Sequence, residues 1–271
     1  MDLATIIGIG GGVLIVCLVM IIDGGSPLEL VTQPQAILLT LGGSLVASAA
    51  TLPLDVLIKL PKYLGIAFTV KKVDLVELIE LISRMADKAR REGLLALEEE
   101  AKKIEEPFLR KGITLVVDGT DPAQVRAILE LDIKTMEERH EKGISFFTQA
   151  GGFSPTFGII GTVMGLVTVL KELDNPNKLA KSIAAAFLAT LWGLLSANIL
   201  WLPVAGKLTT RNNEEVAYRN MLLEGILSLQ AGENPRIIKE KLSMFLSPAE
   251  RILAETKTMP APAASKAGGP A

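Results

Sequence analysis

The chain has 271 residues, 49% of them hydrophobic, with a mean hydropathy of +0.40 and a net charge of −2. It is too apolar for an ordinary soluble domain, and it has no basic excess to attract nucleic acid. One cysteine, Cys17, and one histidine, His140, exclude an internal disulfide and leave almost no material for a zinc site or a Ser-His-Asp triad.

In chain order, four windows contain no Asp, Glu, Lys, Arg or His: residues 3–22, 30–54, 143–170 and 182–206. Each reaches the roughly 20 residues that carry a helix across a bilayer, where the backbone must satisfy its own polar groups. The first window reads as a retained span. It lacks the basic leader and the A-x-A site of a signal peptide. The expected fold class is therefore an all-α integral membrane protein with four transmembrane helices and a helical domain between helices 2 and 3. The expected divisions are 1–54 (helices 1 and 2), 55–142 (cytoplasmic domain), 143–206 (helices 3 and 4), 207–255 (helical tail) and 256–271, a Pro/Ala/Gly-rich disordered tail. Basic residues set the orientation. Loop 23–29 has none, and loop 171–181 has Lys171, Lys178 and Lys181. The other side has Lys59, Lys62, Lys71, Lys72, Lys134, Arg139, Lys142, Lys207, Arg211 and Arg219. That excess places both termini and residues 55–142 in the cytoplasm.

Within that domain, residues 73–92 repeat with helical period. Val73, Val76, Ile79 or Glu80, and Ile82 or Ser83 trace one side, with Leu75, Leu78, Leu81 and Met85 beside it. Gly93 breaks the pattern, and a second helix over about 94–106 is expected. Asp121 as N-cap and Pro122 in the first turn start a helix with no clear stop before the third span. In "KARREGLLALEEE", Lys88, Arg90 and Arg91 stand apart from Glu98, Glu99 and Glu100. These are either two solvated helix ends or a two-signed docking surface.

The third window holds "GGFSPTFGIIGTVMG". On a helix, Gly151, Pro155, Gly158, Thr162 and Gly165 fall on one stripe, and the fourth window repeats it with Ala186, Thr190, Gly193 and Ala197. Small stripes allow close helix packing in lipid. The hydroxyls of Thr162 and Thr190 add a second reading. Pro155 frees a carbonyl near Gly151, and carbonyls with hydroxyls make an oxygen-rich environment for a cation. Pro203 adds a second hinge. No span carries a carboxylate, so a proton- or cation-carrying acid has to come from another subunit, packed against these faces.

These motifs together resemble one family, the MotA type of flagellar stator A subunit (PomA in sodium-driven motors). "ADKARREGLLALEEE", "LVVDGTDPAQVRAILE", "GGFSPTFGIIGTVMGLVTVL" and "AAAFLATLWGLLSANILWLP" carry the resemblance, over about residues 1–245. It implies a homo-oligomeric ring of A subunits in the bacterial cytoplasmic (inner) membrane, around single-span, peptidoglycan-binding B subunits bearing an essential aspartate. It implies ion flow driving torque on a rotor switch-complex protein, with no enzymatic activity and no cofactor beyond the transported ion. Arg90 and Glu98 fall on the rotor-facing charges, and Pro155 and Pro203 on the two functional prolines. Thr190 falls on the ion-path threonine. Thr162, with Pro155 and Gly158, falls on positions lining a sodium site in sodium-type members, so a candidate sodium site lies near Thr162 and Thr190. Ala189 stands where sodium-type members often have a second threonine, and either proton or sodium remains compatible. The rival is an ExbB/TolQ-like ring subunit energising an outer-membrane process. Such proteins typically have three spans, and the charged motif also argues against it. A transporter lacks support: no substrate-sized polar cluster or P-loop is present.

Overall fold

The computed structural model of the protein describes residues 2–69, 74–171 and 176–252. Lys71, Lys72, Val73 and the 256–271 tail of the sequence reading lie outside them. Among the described residues there is no strand. Besides a single turn at Leu54–Leu57, the α-helices among the described residues are α1 (Leu3–Ile22), α2 (Pro34–Ala49), α3 (Leu60–Phe68), α4 (Leu75–Glu92), α5 (Glu98–Lys103), α6 (Pro107–Val117), α7 (Pro122–Lys171), α8 (Pro176–Leu195), α9 (Leu202–Gln230) and α10 (Pro235–Ser243). A wider π turn, Ser196–Trp201, joins α8 to α9 without a break.

Short polar side chains followed by proline begin several helices. Glu106, Asp121 and Asn234 each accept a first-turn N–H, from Leu109 (2.5 Å), Ala123 (2.9 Å) and Arg236 (3.0 Å). The proline after each has no N–H to leave unpaired. Asp121 thus opens α7 as the sequence indicated. Gly93, at φ +87°, ends α4 where a side chain would be strained. The segment after it differs from expectation. The 94–106 helix is a 3-10 turn, Leu94–Leu97, followed by the short α5, and α6 is an additional helix.

Among the described residues, three helical stretches are long and apolar enough to cross a membrane: Leu3–Ile22, Pro122–Lys171 and Leu179–Gln230. The expected 30–54 span is helical as a span only over Pro34–Ala49. At 1.5 Å per residue that is roughly 24 Å. Pro34 starts this helix, and the chain turns before Pro53, which cannot continue the ladder.

The described residues form two compact units, which lie within Met1–Lys71 with Met136–Asn213 and within Lys72–Thr135 with Glu214–Ala271. The second is held by an apolar core drawn from α4, α6, α7, α9 and α10. Ile79, Ile82, Leu109, Ile113, Leu129, Ile226 and Leu242 are fully buried there. On α4 the buried line is Ile79, Ile82, Met85, Ala86 and Ala89, so Ile79 and Ile82, rather than Glu80 and Ser83, define its core side. Residues 214–252 belong to this core, although they stand a whole membrane segment away in sequence. Polar ties finish the packing. Arg219 bonds Asp132 (2.8 Å) and lies 5.4 Å from the Phe108 ring centre, and Ser83 donates to the Pro235 carbonyl.

The first unit packs Ala67, Phe146, Phe147, Ala150, Trp201, Val204, Ala205 and Leu208 together. Asp2, almost buried, caps α1 and pairs with both Lys207 and Arg211, while its N–H bonds the Phe68 carbonyl at 2.9 Å. One buried carboxylate with two cations fixes the start of α1 against α3 and α9.

Candidate functional site

The seam between the α7 and α8 residues of the first unit is nearly free of side chains. A Cβ built on Gly158 would stand 3.0 Å from the Ala189 carbonyl oxygen and 3.1 Å from the Thr190 Cα. One built on Gly193 would stand 2.7 Å from the Ser154 carbonyl oxygen and 3.0 Å from the Gly158 Cα. Gly161 and Gly165 face Ala189 and Ala186 equally closely. The two small stripes therefore meet each other within one chain, in the close helix packing that small residues allow. Glycine is needed at 158 and 193 because the atoms opposite are backbone, which cannot step aside.

The glycine contacts bring Thr162 and Thr190 together. Their hydroxyls are in hydrogen-bond contact, and Thr162 Oγ1 also lies 3.1 Å from the carbonyl oxygens of both Gly158 and Ala186. Each hydroxyl has one proton and two lone pairs, so the pair can pass a hydrogen bond along while a carbonyl accepts the last one. Two hydroxyls and two carbonyls make a cluster of four oxygens in a segment with no ionisable group. Such a cluster can orient a proton-carrying water chain or replace part of the hydration of a small hard cation. Both threonines are half-buried, so the cluster is reachable from the edge of the seam. Ala189, by contrast, is buried against Gly161.

The prolines lie on either side. Pro155 is interior to α7, one turn before Gly158, and removes the N–H that would bond the Gly151 carbonyl. Pro203 sits in the first turn of α9, immediately after the π turn. A proline ring crowds the carbonyl four residues back, and a π turn widens the backbone where that carbonyl lies. Ser196, in that turn, bonds back to the carbonyls of Trp192 (2.7 Å) and Gly193 (3.2 Å). Two residues absent from the sequence reading join these elements: the indole N–H of Trp201 donates to Ser154 Oγ at 3.0 Å, with both side chains buried. Nothing in their spacing marked them. A serine before a proline and a tryptophan in an apolar run both read as ordinary span residues.

Arg90 and Glu98 lie in the other unit, at the end of α4 and the start of α5. Most of the motif's charges are paired there: Lys88 with Glu100 (3.2 Å), Arg91 with Asp87 (2.8 Å), and Lys102 with Glu98 (3.3 Å) and Glu99 (2.8 Å). Hydrogen bonds from Lys102 and Lys88 hold the Glu99 and Glu100 carboxyls below their usual range. Arg90 is exposed and makes no ion pair among the described residues. Its guanidinium, with five donors in a fixed fork, is left open for an external acceptor.

The MotA/TolQ/ExbB proton channel family model matches residues 100–221. The chain is 38% identical to Motility protein A of Borreliella burgdorferi, covering 93% of this chain and 96% of the relative. It is also 38% identical to the chemotaxis protein PomA of Vibrio alginolyticus, covering 93% and 98%. Among solved structures it is similar to the flagellar MotAB stator complex from Bacillus subtilis, at 36% identity and a TM-score of 0.85, covering 92% of this chain and 98% of that one.

Proposed function

Because the chain belongs to the MotA/TolQ/ExbB proton channel family, among its Motility protein A and PomA members, we infer that it is an A subunit of a flagellar stator, which with a B subunit couples ion flow to torque. The observation that carries this is the Thr162–Thr190 hydroxyl pair, set beside two carbonyls in spans that have no carboxylate of their own. A path that is lined but lacks a carrier needs a partner's acid, and a B subunit's membrane aspartate supplies it. The function is ion conduction rather than catalysis, and the ion is a proton or sodium.

In this reading the protein crosses the inner membrane four times, with α2 as the short second span and both termini cytoplasmic. A subunits form a ring around single-span, peptidoglycan-anchored B subunits. Thr190 and Thr162 border the ion path with Pro155 and Gly158. Pro155 and Pro203 are the flexing points that convert ion binding into movement. Arg90 and Glu98 face the rotor's switch-complex protein, Arg90 as the open cation. Ion leak in cells producing the chain with and without a B-type partner tests this. Conduction is expected only with the partner, and conduction by the chain alone refutes it in favour of a transporter.

A further inference from the structure

The two prolines lie on different helices, and a chain that flexes at both needs a contact that keeps them in register. Ser154 directly precedes Pro155, and Trp201 is the last residue of the π turn, two before Pro203. Trp201 Nε1 donates to Ser154 Oγ at 3.0 Å. Ser154 is fully buried and Trp201 is 7% exposed, so no water competes for either group. The Ser154 carbonyl oxygen is also the atom that a Cβ on Gly193 would meet most closely, so the same residue limits how near α8 approaches α7. The Trp201 ring is fixed in turn against Phe147, 6.4 Å between ring centres.

We propose that Ser154 and Trp201 are a positioning pair that ties the helix at Pro155 to the π turn before Pro203, so that the two proline sites move as one. Neither residue touches the transported ion. They act through the seam, which sets the spacing of the Thr162 and Thr190 hydroxyls, about two turns from Ser154 and about three from Trp201. Indole N–H to hydroxyl is a single directional contact, and a π turn is a backbone form that shifts by small changes in register. A change of angle at one proline is therefore passed to the other through the ring instead of being lost in side-chain slack. The proposal rests on the stator reading for its consequence in torque, but the link itself does not.

The test uses the full chain with its B-type partner. In bead-rotation records, each arriving complex adds one speed step. Trp201→Phe keeps the ring and loses the donor, and Ser154→Ala loses the acceptor. A membrane hydrogen bond is worth on average about 0.6 kcal/mol, a factor of about three. Each single variant is expected to lower step height at high load by at most about threefold, with the number of steps unchanged, and the double variant to be no lower than either single. Fewer steps of normal height would show a packing role only and overturn the proposal. So would unchanged steps, or a double variant whose losses multiply.

A second arm does not need motility. In the complex labelled with 5-fluorotryptophan, the fluorine resonance lost in Trp201→Phe identifies Trp201, and Trp192 serves as the internal control. Ser154→Ala should shift the Trp201 resonance and leave that of Trp192 in place. An unmoved Trp201 resonance overturns the link whatever the motor does. If wild-type complexes give no steps while the resonance shifts, the stator reading fails and the link stands.

Discussion

Alanine at Gly193 is a small change with a large expected effect. The new Cβ would stand 2.7 Å from the Ser154 carbonyl oxygen and 3.0 Å from the Gly158 Cα, whereas ordinary contact begins at 3.4 Å. The opposing atoms are backbone, so α8 must back away from α7 by about 0.7 Å. Alanine raises helix propensity by up to about 1 kcal/mol over glycine, but overpacking costs about 1–3 kcal/mol, so crowding wins. Gly151→Ala is the matched control. Its Cβ would come as close, 2.6 Å, but to the Leu202 side chain, 42% exposed and able to rotate away. Gly152→Ala meets nothing within 4 Å and should be neutral or slightly stabilising. The displacement at Gly193 also lies one turn from Thr190, so the hydroxyl pair should part. Melting temperature of the purified complex and swimming speed check this series. Gly193→Ala should melt several degrees lower and swim poorly, with Gly151→Ala and Gly152→Ala close to wild type. If Gly193→Ala and Gly151→Ala are equally harmless, the backbone-contact reasoning is wrong.

Thr190→Ala should stop or severely slow swimming in any medium, and Thr162→Ala should do so only if the motor runs on sodium, because sodium needs the ligand oxygen while a proton needs only a water chain. Swimming speed across external sodium and pH decides both, and normal speed of Thr190→Ala throughout returns the pair to helix packing. Arg90→Glu should impair motility while membrane level and ion leak stay normal, since an exposed charge contributes only about 0–1 kcal/mol to stability. Loss of the protein from the membrane would instead make Arg90 structural. The Glu99 and Glu100 carboxyls titrate below their ordinary value of 4.5 in the folded protein, through hydrogen bonds from Lys102 and Lys88. Their stabilisation is complete above about pH 4.5 and declines as pH falls below it. Melting of the complex should thus be flat in this contribution from pH 7 to 5, with a shallow fall below 4.5 that Lys88→Met and Lys102→Met together reduce. A decline beginning on the alkaline side would contradict it.

The sequence by itself determined whatever depends on local chemistry. Charge-free runs marked apolar helices, because lipid gives a charged side chain no compensation. Asp121 and Pro122 marked the start of α7, because a cap and a missing N–H act within one turn. The spacing of Gly158, Thr162, Ala186, Thr190 and Gly193 marked two small faces, because helical period alone puts them in line. It passed over α6, whose Glu106-Pro107 start is of the same kind as Asp121-Pro122 but follows a run of mixed charge. Only the tertiary structure decided what each face meets. The two stripes close on each other, and so Thr162 and Thr190 share one oxygen cluster. Residues 214–252 complete a core with 75–135, Asp2 reaches Lys207 and Arg211, and Trp201 reaches Ser154. These are pairings between residues tens to hundreds of positions apart. A residue's periodicity specifies which way it points on its own helix, while its partner is selected by the shape and unsatisfied polar groups of a surface that exists only once the chain has folded.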